Sequence, residues 1–393
     1  MKIPYGRQFI DNRDILNVAS ALKKNLITQG PLIEKFEKQI CKIVKSKYAI
    51  ALSSCSAGLH IALGALKKNR KKKEIITSPI SFVSTANAII HNKYKPIFLD
   101  IKKDTLNLNV TYLDNYLKKN KKVSAIVPVH LGGCPLDSKE LYLLAKKKNI
   151  PVIEDAAHSF GAQYEDGNMV GSCKYSDITV FSFHPVKTIT TGEGGVITTN
   201  SKKIYDKLFK LRSHGIEKNS KLWKNKKLGF TNGKINQWYY EMQDLGFNYR
   251  ITDIQCALGL SQLKKLKKII NKRVKIARIY DKNFNKLKNI YLPQLKNRSK
   301  SSNHLYVLNL DFEEIGLSRN DFMKILMKKG IITQVHYIPI HLHPFFKNKF
   351  LKKVNLTNAM NYYNQAISIP IFYKLSNAKQ RKIINIIKKL IKK

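Results

Sequence analysis

Between about residues 48 and 200 the chain alternates short, unbroken apolar runs with amphipathic segments that often end in lysine. The runs are YAIALSS, EIITSPISF, YKPIFLDI, VSAIVPVHLGG, IPVIEDAAHSF, SDITVFSF and GGVITTN, with helical patterns such as CSAGLHIALGALKK and VSTANAII between them. Apolar residues in continuous rather than alternating order mark strands buried on both faces, as in a parallel sheet with helices above and below. The pattern predicts an α/β fold with a mainly parallel sheet of seven strands.

After Arg250 the period changes. ITDIQCALGLSQLKKLKKIINKRVKIARIYDKNF reads as a long helical stretch, followed by a strand (HLYVLNLDF), a helix (SRNDFMKILMKKG) and a strand (IITQVHYIPI). These are the makings of a smaller C-terminal α+β domain. The boundary falls within the long helix, giving a large domain of residues 1–265 and a small one of residues 266–393. The closing SNAKQRKIINIIKKLIKK sets Ile383, Ile384, Ile387 and Leu390 on one face with lysines opposite. We read it as a terminal helix packed on the small domain rather than one lying on a membrane surface.

Composition changes this picture little. With 393 residues, 43% of them hydrophobic, the chain can bury large cores and is not a disordered polymer. The net charge of +46 alone would suggest a nucleic acid or an anionic membrane as partner. Only ten of the 72 basic residues are arginine, however, which leaves 62 lysines where bidentate phosphate recognition would favour arginine. They lie along the whole chain in short runs such as 71–73 and 146–148, as on a solvated surface, so no nucleic-acid or membrane partner is expected. A mild attraction for anionic substrates remains. Five cysteines (Cys41, Cys55, Cys134, Cys173, Cys256) without a CxxC pair indicate neither a disulfide framework nor a zinc site. The N-terminus lacks an apolar core and no apolar run approaches membrane-spanning length, so a soluble cytoplasmic protein is expected.

Ligands of open α/β sheets gather beyond the carboxyl ends of the strands. There the sequence places three segments of interest. SSCSAGL follows the first strand and opens a helix, whose free amides at Ser54, Cys55 and Ser56 suit a phosphate; a plain helix cap by Ser54 or Ser56 is the equal alternative. IPVIEDAAHSFGA ends a strand on Glu154 and Asp155. A carboxylate there, Asp155 by choice, can hold a heterocycle's ring nitrogen protonated, as a pyridoxal ring requires. A metal reading with Glu154, Asp155 and His158 is poorer for want of further ligands at suitable spacing, and capping of the next helix is the bland alternative. In SDITVFSFHPVKTITTGEGGVITTN, Lys187 sits in a turn tied between two core strands, where partial burial can depress its pKa and make it a nucleophile. Ser182 can add a hydroxyl to a phosphate, while Gly192, Gly194 and Gly195 fit close backbone approach or merely a tight turn.

The run SFHPVKTITTGEGG, with EDAAHSFGA upstream and GFNYRITDIQCALG downstream, resembles the DegT-type nucleotide-sugar aminotransferases, pyridoxal-phosphate enzymes of fold type I. The likeness covers nearly the whole chain. It implies that the large domain binds pyridoxal 5'-phosphate, that Lys187 carries the cofactor covalently and shuttles the proton, and that Asp155 pairs with the pyridine nitrogen. By the same likeness Phe82 of SPISFVSTAN would stack on the ring and His158 would lie beside it. Ser182 and the amides of Cys55 and Ser56 would hold the phosphate, joined by Asn248 from the second subunit of a homodimer. The family commonly reads SSGTAAL where this chain has SSCSAGL, which alters the cradle at Cys55 and Ser56.

IPYGRQFIDNRDI, LITQGPLIEKFE and QVHYIPIHLHPFF resemble the branch that aminates a UDP-linked 4-keto-6-deoxy-HexNAc on the way to pseudaminic acid, with L-glutamate as the usual donor. That likeness puts Tyr5, Ile27, Thr28, Gln29, His336 and Tyr337 at the sugar-nucleotide site; small-domain core is the alternative for His336 and Tyr337. A deoxygenating relative would carry His in place of Lys187, and a polyanion-binding protein with the fold alone would have lost Lys187 or Asp155. Neither residue is lost.

Overall fold

The computed structural model describes residues 2–66, 71–350 and 355–391; the ends of two predicted helices, 67–68 and 392–393, lie outside them. All seven apolar runs form strands: β1 (Tyr48–Leu52), β2 (Glu74–Thr77), β3 (Lys95–Phe98), β4 (Val123–Val127), β5 (Ile153–Asp155), β6 (Ile178–Ser182) and β7 (Gly195–Thr199). They pair as β1-β7-β6-β5 and β3-β2-β4. Parallel bridges at Ile126–Val152 and Val129–Asp155 join the two groups into one sheet. Only β7 runs against its neighbours.

Every residue of β2, β5, β6 and β7 is buried, which is why these runs carry no polar alternation. One sheet face packs on α3 (Cys55–Gly64), the other on α2 (Pro31–Val44) through Phe36, Ile40 and Val44, with α1 (Asn12–Leu22) preceding both in the chain. Gly58 of α3 lies so near β6 that a Cβ there would stand 2.7 Å from Val180. Helix α2 starts at Pro31, whose missing N–H costs nothing in a first turn. The Gly30 and Leu32 amides donate to the Asp253 carboxylate at 2.7 and 2.8 Å, so a residue far along the chain caps α2.

The long helical stretch after Arg250 is two helices, Asp253–Leu263 and Leu266–Phe284. At the break, Lys265 forms ion pairs with Asp11 and Asp14. Beyond it a three-stranded antiparallel sheet holds Ile290–Tyr291, Tyr306–Leu310 and Ala366–Ile369. The expected strand over 331–340 does not form. That segment makes single bridges only, Ile331 to Ile3 and Gln334 to Ser368, and Pro339 brings no donor to a ladder. Its place in the sheet is taken by Ala366–Ile369, while the segment bends to carry His336 and Tyr337 into the site. The terminal helix Asn377–Ile391 buries Ile383, Ile384, Ile387 and Leu390 against Tyr280, Phe284 and Leu326. Each such side chain contributes roughly 1.5–3 kcal/mol relative to exposure. Among the described residues no helix is long and apolar enough to cross a membrane.

Candidate active site

A cavity of about 700 Å³ opens beyond the carboxyl ends of β5 and β6. It brings together Ser54, Cys55, Ser56, Phe82, Asp155, His158, Ser182 and Lys187 from the sheet side with Tyr5, His336 and Tyr337 from the other. Tyr5 reaches it because the N-terminal strap is stitched to the segment that begins at Gly330: the Ile3 amide donates to Gly330 O, and the Ile332 amide to Ile3 O. The Ile371 amide donates to Tyr5 O, and the Tyr5 ring stands 5.1 Å from that of His336.

Asp155 ends β5 and points into the cavity, whereas Glu154, its neighbour on a pleated strand, points the other way. Glu154 accepts hydrogen bonds from Ser138, Tyr164 and Thr179 at 2.7–2.9 Å and has His130 Nε2 at 3.2 Å. It is committed to the interior, so the two carboxylates do not share one ligand. Burial raises the pKa of Asp155, and the Thr85 hydroxyl (2.6 Å), the Ala157 amide (3.1 Å) and the charge of Lys187 pull it back. Thr85 was not read from the sequence; its signal was a polar residue one helical turn beyond Phe82.

Lys187 lies in the turn between β6 and β7, with its amide donating to His184 O at 2.9 Å. Burial pushes its amine down to about 8, against the opposing pull of the Asp155 carboxylate. Burial also keeps His158 neutral, well below the usual histidine range, and takes His336 to about 3; the charge of Lys187 adds to both. The Cys55 thiol is raised well above its ordinary value by burial and by Asp155, so it stays protonated.

Ser54 caps α3, its hydroxyl accepting from the Ala57 amide at 3.1 Å. The amides of Cys55 and Ser56 find no acceptor among the described residues and lie free at a helix N-terminus. Gly195 of β7 passes so close that a Cβ there would stand 2.6 Å from Cys55 N, so any side chain would press on this cradle. Phe82 is 58% exposed although it lines the cavity, as a platform awaiting a flat ligand would be. Free amides, an apolar plate, a buried carboxylate and a depressed amine fit the phosphate, ring, ring nitrogen and aldehyde of pyridoxal phosphate.

Ile27, Thr28, Gln29 and Asn248 are not on this cavity. Ile27 is 46% exposed, Thr28 bridges Thr252, and Asn248 bridges Ser213. Conversely, Ser81, Ser84, His184, Glu193 and His343 line it without having been singled out.

A model of the DegT/DnrJ/EryC1/StrS aminotransferase family matches residues 8–388. The chain belongs to that family. A UDP-4-amino-4,6-dideoxy-N-acetyl-beta-L-altrosamine transaminase of Campylobacter jejuni is 39% identical over 383 residues, 97% of this chain and 95% of its own. Among solved structures, Helicobacter pylori PseC, an aminotransferase involved in the biosynthesis of pseudoaminic acid, superposes with a TM-score of 0.90 at 30% identity, each chain covered in full. A putative sugar aminotransferase of Streptococcus pneumoniae in its PLP form gives 0.87 at 27% identity, covering 100% of this chain and 99% of its own. This member of the DegT/DnrJ/EryC1/StrS family is therefore a sugar aminotransferase of fold type I, and pyridoxal phosphate is the cofactor its family implies.

Proposed function

We propose that the enzyme moves the amino group of L-glutamate to the 4-keto carbon of a UDP-linked 4-keto-6-deoxy-N-acetylhexosamine, as a step towards pseudaminic acid. The observation that carries the reading is the single cavity uniting Lys187, Asp155 and His158 with Tyr5, His336 and Tyr337, in a chain 39% identical to the Campylobacter transaminase.

When bound, pyridoxal phosphate supplies an electron sink and carries the amino group between the two substrates. The Cys55 and Ser56 amides with the Ser182 hydroxyl would hold its phosphate, Phe82 would cover one ring face, and Asp155 would keep the ring nitrogen protonated. The Lys187 amine, held at about 8, accepts a proton from the α-carbon of glutamate in one half-reaction and delivers one to C4 of the sugar in the other. Tyr5, His336 and Tyr337 line the side of the cavity opposite Lys187 and Asp155, where the sugar would sit in this reading.

The active unit is a homodimer in this reading. Trp238, Tyr240, Met242 and Leu245 are 57–80% exposed on one segment, an unusual load of apolar surface for a free monomer. Ile27, Thr28, Gln29 and Asn248, absent from their own chain's cavity, would serve the neighbour's. We also assign residues 1–265 to a cofactor-binding domain and 266–393 to a small domain. One buried cluster of the latter, from Ile276 to Ile391, draws only Ile3 from the former, which supports the division, while a second packs Ile80, Phe98 and Leu131 against Leu305, Ile340 and Tyr362 across the boundary. Five free cysteines agree with a cytoplasmic setting. Mass spectrometry after incubation with ¹⁵N-glutamate and UDP-4-keto-6-deoxy-HexNAc epimers tests the substrate: a ¹⁵N-amino sugar should form. If only 3-keto or other nucleotide sugars are aminated, the assignment passes to another branch of the same family.

A further inference from the structure

After β4 the chain turns through Gly132 and Gly133 with φ of +66° and +92°, left-handed backbone that glycine adopts readily. A Cβ would meet Gln294 Oε1 at 2.9 Å from the first and Ser302 Oγ at 2.1 Å from the second. This turn aims the Gly132 amide at His158 Nδ1, 3.2 Å away. A backbone N–H can only donate, so Nδ1 holds a lone pair and the ring's proton sits on Nε2. Nε2 lies 3.1 Å from Tyr337 Oη. That contact therefore has one polarity: the imidazole donates and the phenol oxygen accepts.

The ring has little freedom to reverse this. Ser302 Oγ donates to His158 O at 2.6 Å, and the His304 ring lies 4.4 Å from the His158 ring. Tyr337 forms no other hydrogen bond through its hydroxyl among the described residues, so its own proton is uncommitted. Tyr337 lines the cavity, with its ring 6.0 Å from that of Phe82.

We propose that the Gly132 amide, acting through the His158 tautomer, presets Tyr337 as a hydrogen-bond donor to an acceptor oxygen of the bound substrate. The inference rests on the aminotransferase reading above. It makes His158 a positioning residue and Tyr337 a specificity residue for ligands that present a carbonyl, hydroxyl or carboxylate oxygen at that point. Two ligands bring such an oxygen: the amino donor through its carboxylate and the sugar through its ring substituents.

Two measurements decide it. In holoenzyme labelled with ¹⁵N-histidine, NMR should show His158 with a bare Nδ1 and a protonated Nε2, the signals being assigned by their loss in His158→Asn. In Tyr337→Phe, glutamate and UDP-4-keto-6-deoxy-GlcNAc are tested in separate half-reactions. One KM should rise about tenfold, the scale of one lost hydrogen bond, with kcat changed less than about threefold and the thermal midpoint unmoved. The half-reaction that responds names the source of the oxygen. A proton on Nδ1, a doubly protonated ring, or unchanged KM values in both halves overturns the proposal. An equal loss in both halves with a lowered thermal midpoint shows packing alone and overturns it too. If wild-type enzyme aminates no nucleotide sugar, the substrate assignment fails while the NMR and glutamate arms still judge Tyr337.

Discussion

Cofactor-free enzyme should capture pyridoxal phosphate with a rate that tracks the neutral Lys187 amine, because only the free base attacks an aldehyde. Burial sets that amine at about 8 instead of the ordinary 10.5. Its neutral fraction is then about 9% at pH 7, 50% at pH 8 and 90% at pH 9, a tenfold rise that flattens; an unperturbed lysine would rise about a hundredfold over the same span and keep climbing. Stopped-flow absorbance between pH 7 and 9.5 reads this directly. The cofactor's own phosphate loses its last proton at about pH 6, and parallel runs with a simple alkylamine and free cofactor correct for protonation of the ring in that window. Asp155→Asn removes a charge that raises the Lys187 pKa, so its plateau should begin at lower pH than in wild type. The same depression has a stability sign: between about pH 8 and 10.5 the unfolded chain binds the proton that the folded one has released, so the cofactor-free protein gains stability as pH rises through that interval. A capture rate that still climbs tenfold per pH unit between 8 and 9.5 would refute the buried-amine argument.

Asp155→Ala should keep the fold and some cofactor but lose about a hundredfold or more in transamination, about 2.7 kcal/mol of transition-state stabilisation. Near-normal turnover would remove Asp155 from the chemistry. Thr85→Ala deletes the hydroxyl that lowers the Asp155 pKa, so the carboxyl should protonate at higher pH and the acid limb of kcat should move upward; an unmoved limb denies the coupling. Gly195→Ala forces a Cβ to within 2.6 Å of the Cys55 amide. It should cost about 1–3 kcal/mol in urea unfolding and weaken phosphate binding, and unchanged cofactor affinity would place the cradle elsewhere. Lys187→Ala and Asn248→Ala, each inactive alone, should recover roughly a quarter of wild-type activity when unfolded and refolded together, since half the dimers are then mixed with one intact site of two. No recovery would mean that Asn248 acts within its own subunit.

The strands were legible because burial on both faces leaves unbroken apolar runs, and Lys187 because a lysine in a turn tied between two such runs is drawn away from bulk solvent. Asp155 and Glu154 could be separated only in part. A strand's two-residue period says that adjacent carboxylates face opposite ways, but not which way the cavity lies. The segment 331–340 read as a strand for its apolar content, yet its residues serve the cavity instead of a ladder, and Ala366–Ile369 was too short a run to announce itself. Thr85 and Glu193 became visible only once packing had placed them. At Ser54 the sequence left a cap and a phosphate cradle as alternatives. The structure uses the hydroxyl as the cap and leaves the two following amides free. For Ile27, Thr28, Gln29 and Asn248, a single chain's pattern carries no mark of which subunit a residue serves.

We assign this cavity as a pyridoxal-phosphate site built on one lysine among 62. Borohydride reduction of the holoenzyme followed by peptide mapping identifies that lysine. A single reduced cofactor adduct is expected, on Lys187 in the peptide that joins β6 to β7. An adduct on any other lysine, or none after incubation with excess cofactor, would contradict it.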